Sequence, residues 1–156
     1  MIILGVDPGT AITGYGIIHC SQEKIKLIHH GSIKTSPQSS SSKRLDLIYQ
    51  QMLALLRQYK PYTLAIETLF FNTNAKSASA VGQAMGVIKL AAARKKVEVF
   101  EYPPLRIKMI LTGNGRAKKQ QIQSKVRKTL KLRSLPRPTH AADALAVAIC
   151  HWYMIK

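Results

Sequence analysis

The chain has 156 residues, 46% of them hydrophobic, and carries 24 Lys+Arg against 7 Asp+Glu for a formal charge of +17. At this length roughly 70% of the unfolded surface can be buried in one domain, which excludes a disordered basic tail. So large an excess of positive charge repels itself unless a polyanion binds it, nucleic acid first and an anionic membrane surface second.

No apolar run approaches the ~20 residues of a membrane span, and no basic amphipathic helix stands out as a surface anchor. The N-terminus opens directly into Ile2-Ile3-Leu4-Gly5-Val6, without a basic leader. Cys20 and Cys150 lie in apolar stretches, with neither metal-ligand spacing nor a disulfide framework. They are expected as buried thiols in a cytoplasmic protein with no membrane partner.

In chain order, residues 2–7 predict a strand stopped by Asp7-Pro8-Gly9-Thr10, good turn chemistry. Residues 13–20 predict a second strand; its Gly14 and Gly16 suggest close approach by another backbone or a ligand. A third strand is expected over about 25–34, and the short connections favour an antiparallel meander. Pro37 and the serines at 39–42 then break the pattern. From Lys43 the apolar residues Leu45, Ile48, Met52, Leu55 and Leu56 recur at helical spacing, with Lys60-Pro61 as the stop. Residues 62–67 predict a fourth strand, apolar until Glu67. The stretch 75–95, rich in small residues, predicts a closely packed helix, and 97–101 a fifth strand. Pro103-Pro104 opens a short helix to about Leu111, residues 117–131 a basic helix, and Thr139 to about Met154 a final one. This order predicts an α/β fold: a five-stranded mixed sheet flanked by helices, as a single domain over 1–156.

With seven acids in the chain, each position is informative. Glu23, Asp46, Glu98 and Glu101 fall where surface acids fall. Asp7 ends an apolar strand, and its plain alternative role is turn formation. Glu67 ends another, where a solvated strand terminus is the alternative. Asp143 sits in Ala141-Ala142-Asp143-Ala144-Leu145-Ala146, a helix apolar nearly all round, where an unpaired carboxylate is costly. Its alternative is an acid complementing the helix dipole. Together, strand ends and a helix N-terminus can focus oxygen ligands on one point, suited to Mg²⁺ or Mn²⁺ that also binds phosphate. The segment 94–137 holds 14 Lys+Arg against Glu98 and Glu101. That one-sided excess favours a surface that tracks phosphates over a merely solvated face.

These residues form a series. Gly5-Val6-Asp7-Pro8-Gly9-Thr10 is followed by Thr13-Gly14-Tyr15-Gly16, then by Ala65-Ile66-Glu67 with Phe70-Phe71 and Asn74. Further on come Gly82-Gln83-Ala84, Glu101-Tyr102-Pro103, Lys108, Gly113-Asn114-Gly115-Arg116-Ala117 with Lys119-Gln120, and His140-Ala141-Ala142-Asp143-Ala144-Leu145-Ala146. In this order the chain resembles the RuvC family of Holliday-junction resolvases over nearly its whole length. The resemblance implies a ribonuclease-H-like fold, a homodimer, and paired nicks in four-way DNA junctions during recombination and repair. It also implies two Mg²⁺ ions per active site (Mn²⁺ as the alternative) and a branch-migration motor as partner.

Residue by residue, the resemblance makes Asp7, Glu67 and Asp143 metal-binding carboxylates and His140 the fourth ligand. His140 and Asp143, three apart on a helix, share a face. Lys119 and Lys108 match basic residues near the scissile phosphate, with Arg116 and Lys118 as neighbouring DNA contacts. Each of these could instead be a solvated cation, and His140 could be structural. Of Phe70 and Phe71, one could wedge into the open junction centre while the other packs inward. Met85 departs from the family, whose members usually carry Arg there.

Three rivals compete. A sugar-kinase or actin-like ATPase shares an Asp-x-Gly-Thr loop, but needs two domains and a second glycine-rich loop. A non-catalytic junction-binding module leaves Asp143 unexplained. A nuclease cutting RNA–DNA hybrids on the same fold is the nearest alternative.

Overall fold

The computed structural model describes residues 1–22, 24–68 and 74–156. Three strands, β1 (Ile2–Asp7), β2 (Ile12–Cys20) and β3 (Ile25–Lys34), precede α1 (Ser41–Tyr59). Then come β4 (Thr63–Glu67), α2 (Ala75–Arg94) and β5 (Glu98–Tyr102), followed by α3 (Pro104–Thr112), α4 (Lys119–Thr129) and α5 (Thr139–Ile155). One sheet holds the strands in the order β3-β2-β1-β4-β5. β1, β2 and β3 pair antiparallel, as their short turns require. β4 and β5 add parallel to β1, each after a helical crossover. The mixed five-stranded sheet expected from the element order is the one observed.

Side chains alternate across the strands and so divide the core. Leu4, Val6, Leu64 and Ile66 face α1 and α2, meeting Ile48, Met52 and Leu56 from the first and Ala84, Ile88 and Ala92 from the second. Ile3, Ile18 and Ala65 face the other way, toward α5, with Ile107, Leu111, Ile122 and Val126 of α3 and α4 closing the layer. α5 is buried nearly all round because it lies between the sheet and those two helices. From Ala141 to Trp152 every residue is buried except Asp143.

Close approach of α5 depends on glycine. A Cβ at Gly5 would lie 2.1 Å from the carbonyl oxygen of Ala144, and one at Gly14 would lie 2.0 Å from that of His140. Both contacts are with helix backbone, so the helix could not rest where it does over any larger residue. The approach expected at the β2 glycines is made by α5.

Element ends differ slightly from the sequence reading. The basic helix is shorter than 117–131, because the amides of Arg116 and Ala117 are spent on the Asn114 side chain and carbonyl in a turn. At its other end Lys131 takes a left-handed φ of 52°. Cys20 and Cys150 are buried and unpaired. Met85, 8% exposed, packs in the α1–α2 core, so the side chain that departs from the family pattern serves packing. No described helix is long and apolar enough to cross a membrane.

Candidate active site

β1 and β4 run parallel with Val6 beside Ile66, so Asp7 and Glu67 leave the same edge of the sheet. Asp7 follows Gly5, and Glu67 follows Ala65, by two positions, which turns both carboxylates toward the α5 face. α5 enters that edge at Thr139, with His140 and Asp143 on its first two turns. Four residues separated by up to 136 positions thereby meet at one point.

His140 Nδ1 lies 2.8 Å from Asp7 Oδ2. One ligand atom from each of Asp7, His140 and Asp143 lies within 4.8 Å of the other two. Two carboxylates and an imidazole so grouped have the donor chemistry of a divalent-cation site, and the residues could close upon an ion. Glu67 stands outside that three-residue cluster but lines the same cavity, of about 350 Å³, with Asp7, Asp143, Lys108 and Lys119. Pro104, Ile107, Ile122 and Ala146 complete its walls.

Electrostatics agree with a site built for positive charge. Burial raises the Glu67 pKa to about 7, and the Asp7 and Asp143 carboxylates add to the rise, while Lys108 and Lys119 oppose it. Asp7 is also raised, chiefly by burial; its hydrogen bond to His140 pulls the other way, and Asp143 adds to the rise. Carboxylates crowded in this manner hold protons unless a cation neutralises them. Lys119 supplies one such charge, its Nζ lying 2.7 Å from Asp143 Oδ2.

Hydrogen bonds hold the turn after Asp7. Thr13 Oγ1 donates to the Gly9 carbonyl at 2.7 Å, and Thr10 Oγ1 donates to the Ala80 carbonyl of α2 at 2.9 Å. Thr35 Oγ1 donates to the Thr10 carbonyl at 2.6 Å and accepts from Arg44 Nε at 2.8 Å. Sequence reading had no signal for Thr35 or Arg44, because neither lies in a motif.

The structure therefore gathers Asp7, Glu67, His140, Asp143, Lys119 and Lys108. Arg116 and Lys118 do not line the cavity; they are exposed just before α4, and so remain near it on the surface. Phe70 and Phe71 lie outside the described residues. Glu101 pairs with Lys89, and Asp46 and Glu98 are exposed, as ordinary surface acids.

Residues 3–151 match the family model described as crossover junction endodeoxyribonuclease RuvC. The chain belongs to the RuvC family. A RuvC from Rubrobacter xylanophilus is 49% identical over 150 residues, covering 96% of this chain and 84% of that protein. One from Alkaliphilus oremlandii is 50% identical over 151 residues, covering 97% and 92%. The structure of Thermus thermophilus RuvC in complex with Holliday junction substrate superimposes with a TM-score of 0.95 at 36% identity, over 99% of this chain and 94% of that one. The fold is thus the ribonuclease-H-like fold of RuvC resolvases, as the sequence led us to expect.

Proposed function

We propose that this RuvC-family chain is a Holliday-junction resolvase, a metal-dependent endonuclease that places symmetric nicks in four-way DNA junctions during recombination and repair. The observation that carries the reading is the convergence of Asp7, His140 and Asp143 within 4.8 Å, with Asp7 and Asp143 lining one cavity with Glu67, Lys108 and Lys119. A junction-bound relative with the same fold supports the substrate. The 156 residues act as one domain, two copies together, in the cytoplasm, with a branch-migration motor as the further partner.

Asp7, Glu67, His140 and Asp143 hold the metal, as two Mg²⁺ ions with Mn²⁺ as the alternative. A metal held by these residues would supply activation of water and stabilisation of the leaving oxygen. Asp7, in contact with His140 and lining one cavity with Glu67, would be one of the residues that hold the metal. Lys119, whose Nζ lies 2.7 Å from Asp143 Oδ2, would be free to turn its ammonium to the scissile phosphate if cations neutralised that carboxylate. Lys108 approaches the same phosphate from α3. Arg116 and Lys118 contact the backbone on either side, and Phe70 or Phe71 wedges into the junction centre.

One gel assay in Mg²⁺ decides among the classes, comparing a four-way junction, linear duplex, RNA–DNA hybrid and ATP turnover. Symmetric junction nicks are expected, with cleavage lost in Asp7→Asn, Glu67→Gln and Asp143→Asn while junction gel shifts stay within a few-fold. Near-normal cutting by any one variant removes that residue from the site. Preference for the hybrid makes the chain a different ribonuclease-H-like nuclease.

A further inference from the structure

A second cavity opens between β3 and the segment that joins α4 to α5, and the chemistry above makes no use of it. Its volume is about 520 Å³; Leu27 and Leu132 contribute apolar wall, and His30, Ser134, Arg133 and Arg137 contribute polar groups. Arg133 and Arg137 are exposed, and among the described residues neither has an acidic partner. The buried Nδ1 of His30 also has no hydrogen-bond partner among the described residues. Among the described residues, no carboxylate lines this cavity.

Its position relative to the carboxylates follows from strand register. His30 pairs with Gly16, Gly16 pairs with Gly5, and Gly5 precedes Asp7 by two residues on the same face. Two strand spacings of ~4.8 Å and two residues at ~3.3 Å put His30 roughly 12 Å from Asp7. The loop that forms the other wall runs straight into α5, with Arg137 three residues before His140. His30 and Asp7 therefore lie on the same face of the sheet, and Arg137 is joined to the active site by the chain that leads, three residues on, into His140 at the start of α5.

Two guanidinium groups with no acidic partner among the described residues, beside a hydroxyl and an imidazole, make a site for a tetrahedral oxyanion, since guanidinium pairs match phosphate oxygens as forks. At ~3.4 Å rise per nucleotide along one strand, ~12 Å lies within about three nucleotides. We propose that this cavity is a phosphate subsite in which Arg133 and Arg137 hold a backbone phosphate of the DNA, within about three nucleotides of the scissile one. The subsite rests on the resolvase reading, because a scissile phosphate defines its position. It sets the register of the strand over Asp7, and so belongs to positioning.

The test pairs Arg133→Gln/Arg137→Gln with uncharged methylphosphonates placed one at a time along the junction strand. Both side chains are exposed, so the double variant should melt within a degree or two of wild type; if it does not, the single variants replace it. Junction affinity, measured without divalent cation, should fall about tenfold, as expected for losing charge-assisted bonds. The slope of log affinity against log salt should shrink by about 1. In wild type, one methylphosphonate within three positions of the scissile phosphate should weaken binding about tenfold, and in the double variant the same substitution should do nothing.

Identical methylphosphonate profiles in the two proteins would overturn the subsite. A melting-temperature rise with inorganic phosphate in wild type alone, together with flat DNA profiles, would also overturn it, as a site for free anion. Junction cleavage by wild type in Mg²⁺ or Mn²⁺ is scored separately. Its absence would sink the resolvase reading, while the binding profiles would still decide whether the cavity takes a phosphate.

Discussion

Glu67 carries the chemistry of the site most directly at the scale of one residue. Its carboxyl is raised to about 7 in the folded protein from an ordinary 4.5, so the folded state holds this proton more tightly than the unfolded chain does. The stability that this confers is present below pH ~4.5 and is lost as pH rises through about 7, up to about 3 kcal/mol. Without divalent cation, the melting temperature should therefore fall across that window, and 5–10 mM Mg²⁺ or Mn²⁺ should restore it at the upper end (roughly, by mass action). Glu67→Gln should flatten the pH dependence, and a wild-type profile that is already flat would place the carboxyl in water. His140 gives a second residue-scale outcome. An imidazole donor suits Mn²⁺ better than Mg²⁺, which prefers oxygen and holds its waters tightly. Wild type should cleave at lower Mn²⁺ than Mg²⁺ concentrations, and His140→Asp should move the preference toward Mg²⁺. Equal metal titrations for the two proteins would make His140 structural, with the site resting on its carboxylates.

At the scale of elements, the site depends on how closely α5 lies over β1 and β2. His140 and Asp143 reach Asp7 because Gly5 and Gly14 offer no Cβ to hold the helix off. Gly5→Ala would push a methyl to 2.1 Å from the Ala144 carbonyl, a contact that only backbone movement can relieve. We expect a loss of about 2–3 kcal/mol in urea denaturation, with cleavage reduced beyond what the unfolded fraction explains. Gly82→Ala is the matched control, since a Cβ there meets nothing within 4 Å. Helix propensity alone then applies, and its stability should be unchanged or higher by about 1 kcal/mol. Equal losses in the two variants would mean that helix approach at Gly5 is not what matters.

For the whole molecule, net charge governs. A chain with +17 and exposed cations such as Arg116, Lys118, Arg133 and Arg137 gathers phosphates over a surface much wider than the catalytic cavity. Junction affinity should fall steeply with salt, and a protein covering 6–10 phosphates would lose ~10³–10⁵ in affinity between 50 and 200 mM. Single-turnover cleavage of bound junction should change far less, because salt competes for the phosphate contacts that supply affinity and not for the chemical step. Parallel losses of binding and turnover would mean that salt acts on the cavity itself. Lys119→Ala sits at the boundary between surface and site. Its position against Asp143 calls for a larger loss in rate than in affinity.

What the sequence determined by itself was local or patterned. Short apolar runs in residues 2–7 and 62–67 defined buried strands ending in an acid, and the apolar surroundings of Asp143 marked a carboxylate that needed a partner. Asp7, Glu67, His140 and Asp143 were legible because their neighbours form motifs, and the meander was legible because its turns are short. Tertiary structure decided the rest. The 2.8 Å contact of His140 with Asp7 spans 133 residues, and only the rest position of α5 creates it. Lys119 meets Asp143, and Thr35 with Arg44 braces the turn after Asp7, by packing that leaves no periodic trace in the chain. Arg133 and Arg137 looked like part of a general basic run until a shared cavity put His30 beside them. Periodicity reports which face of an element is buried; which distant residues share a cavity depends on how those faces stack.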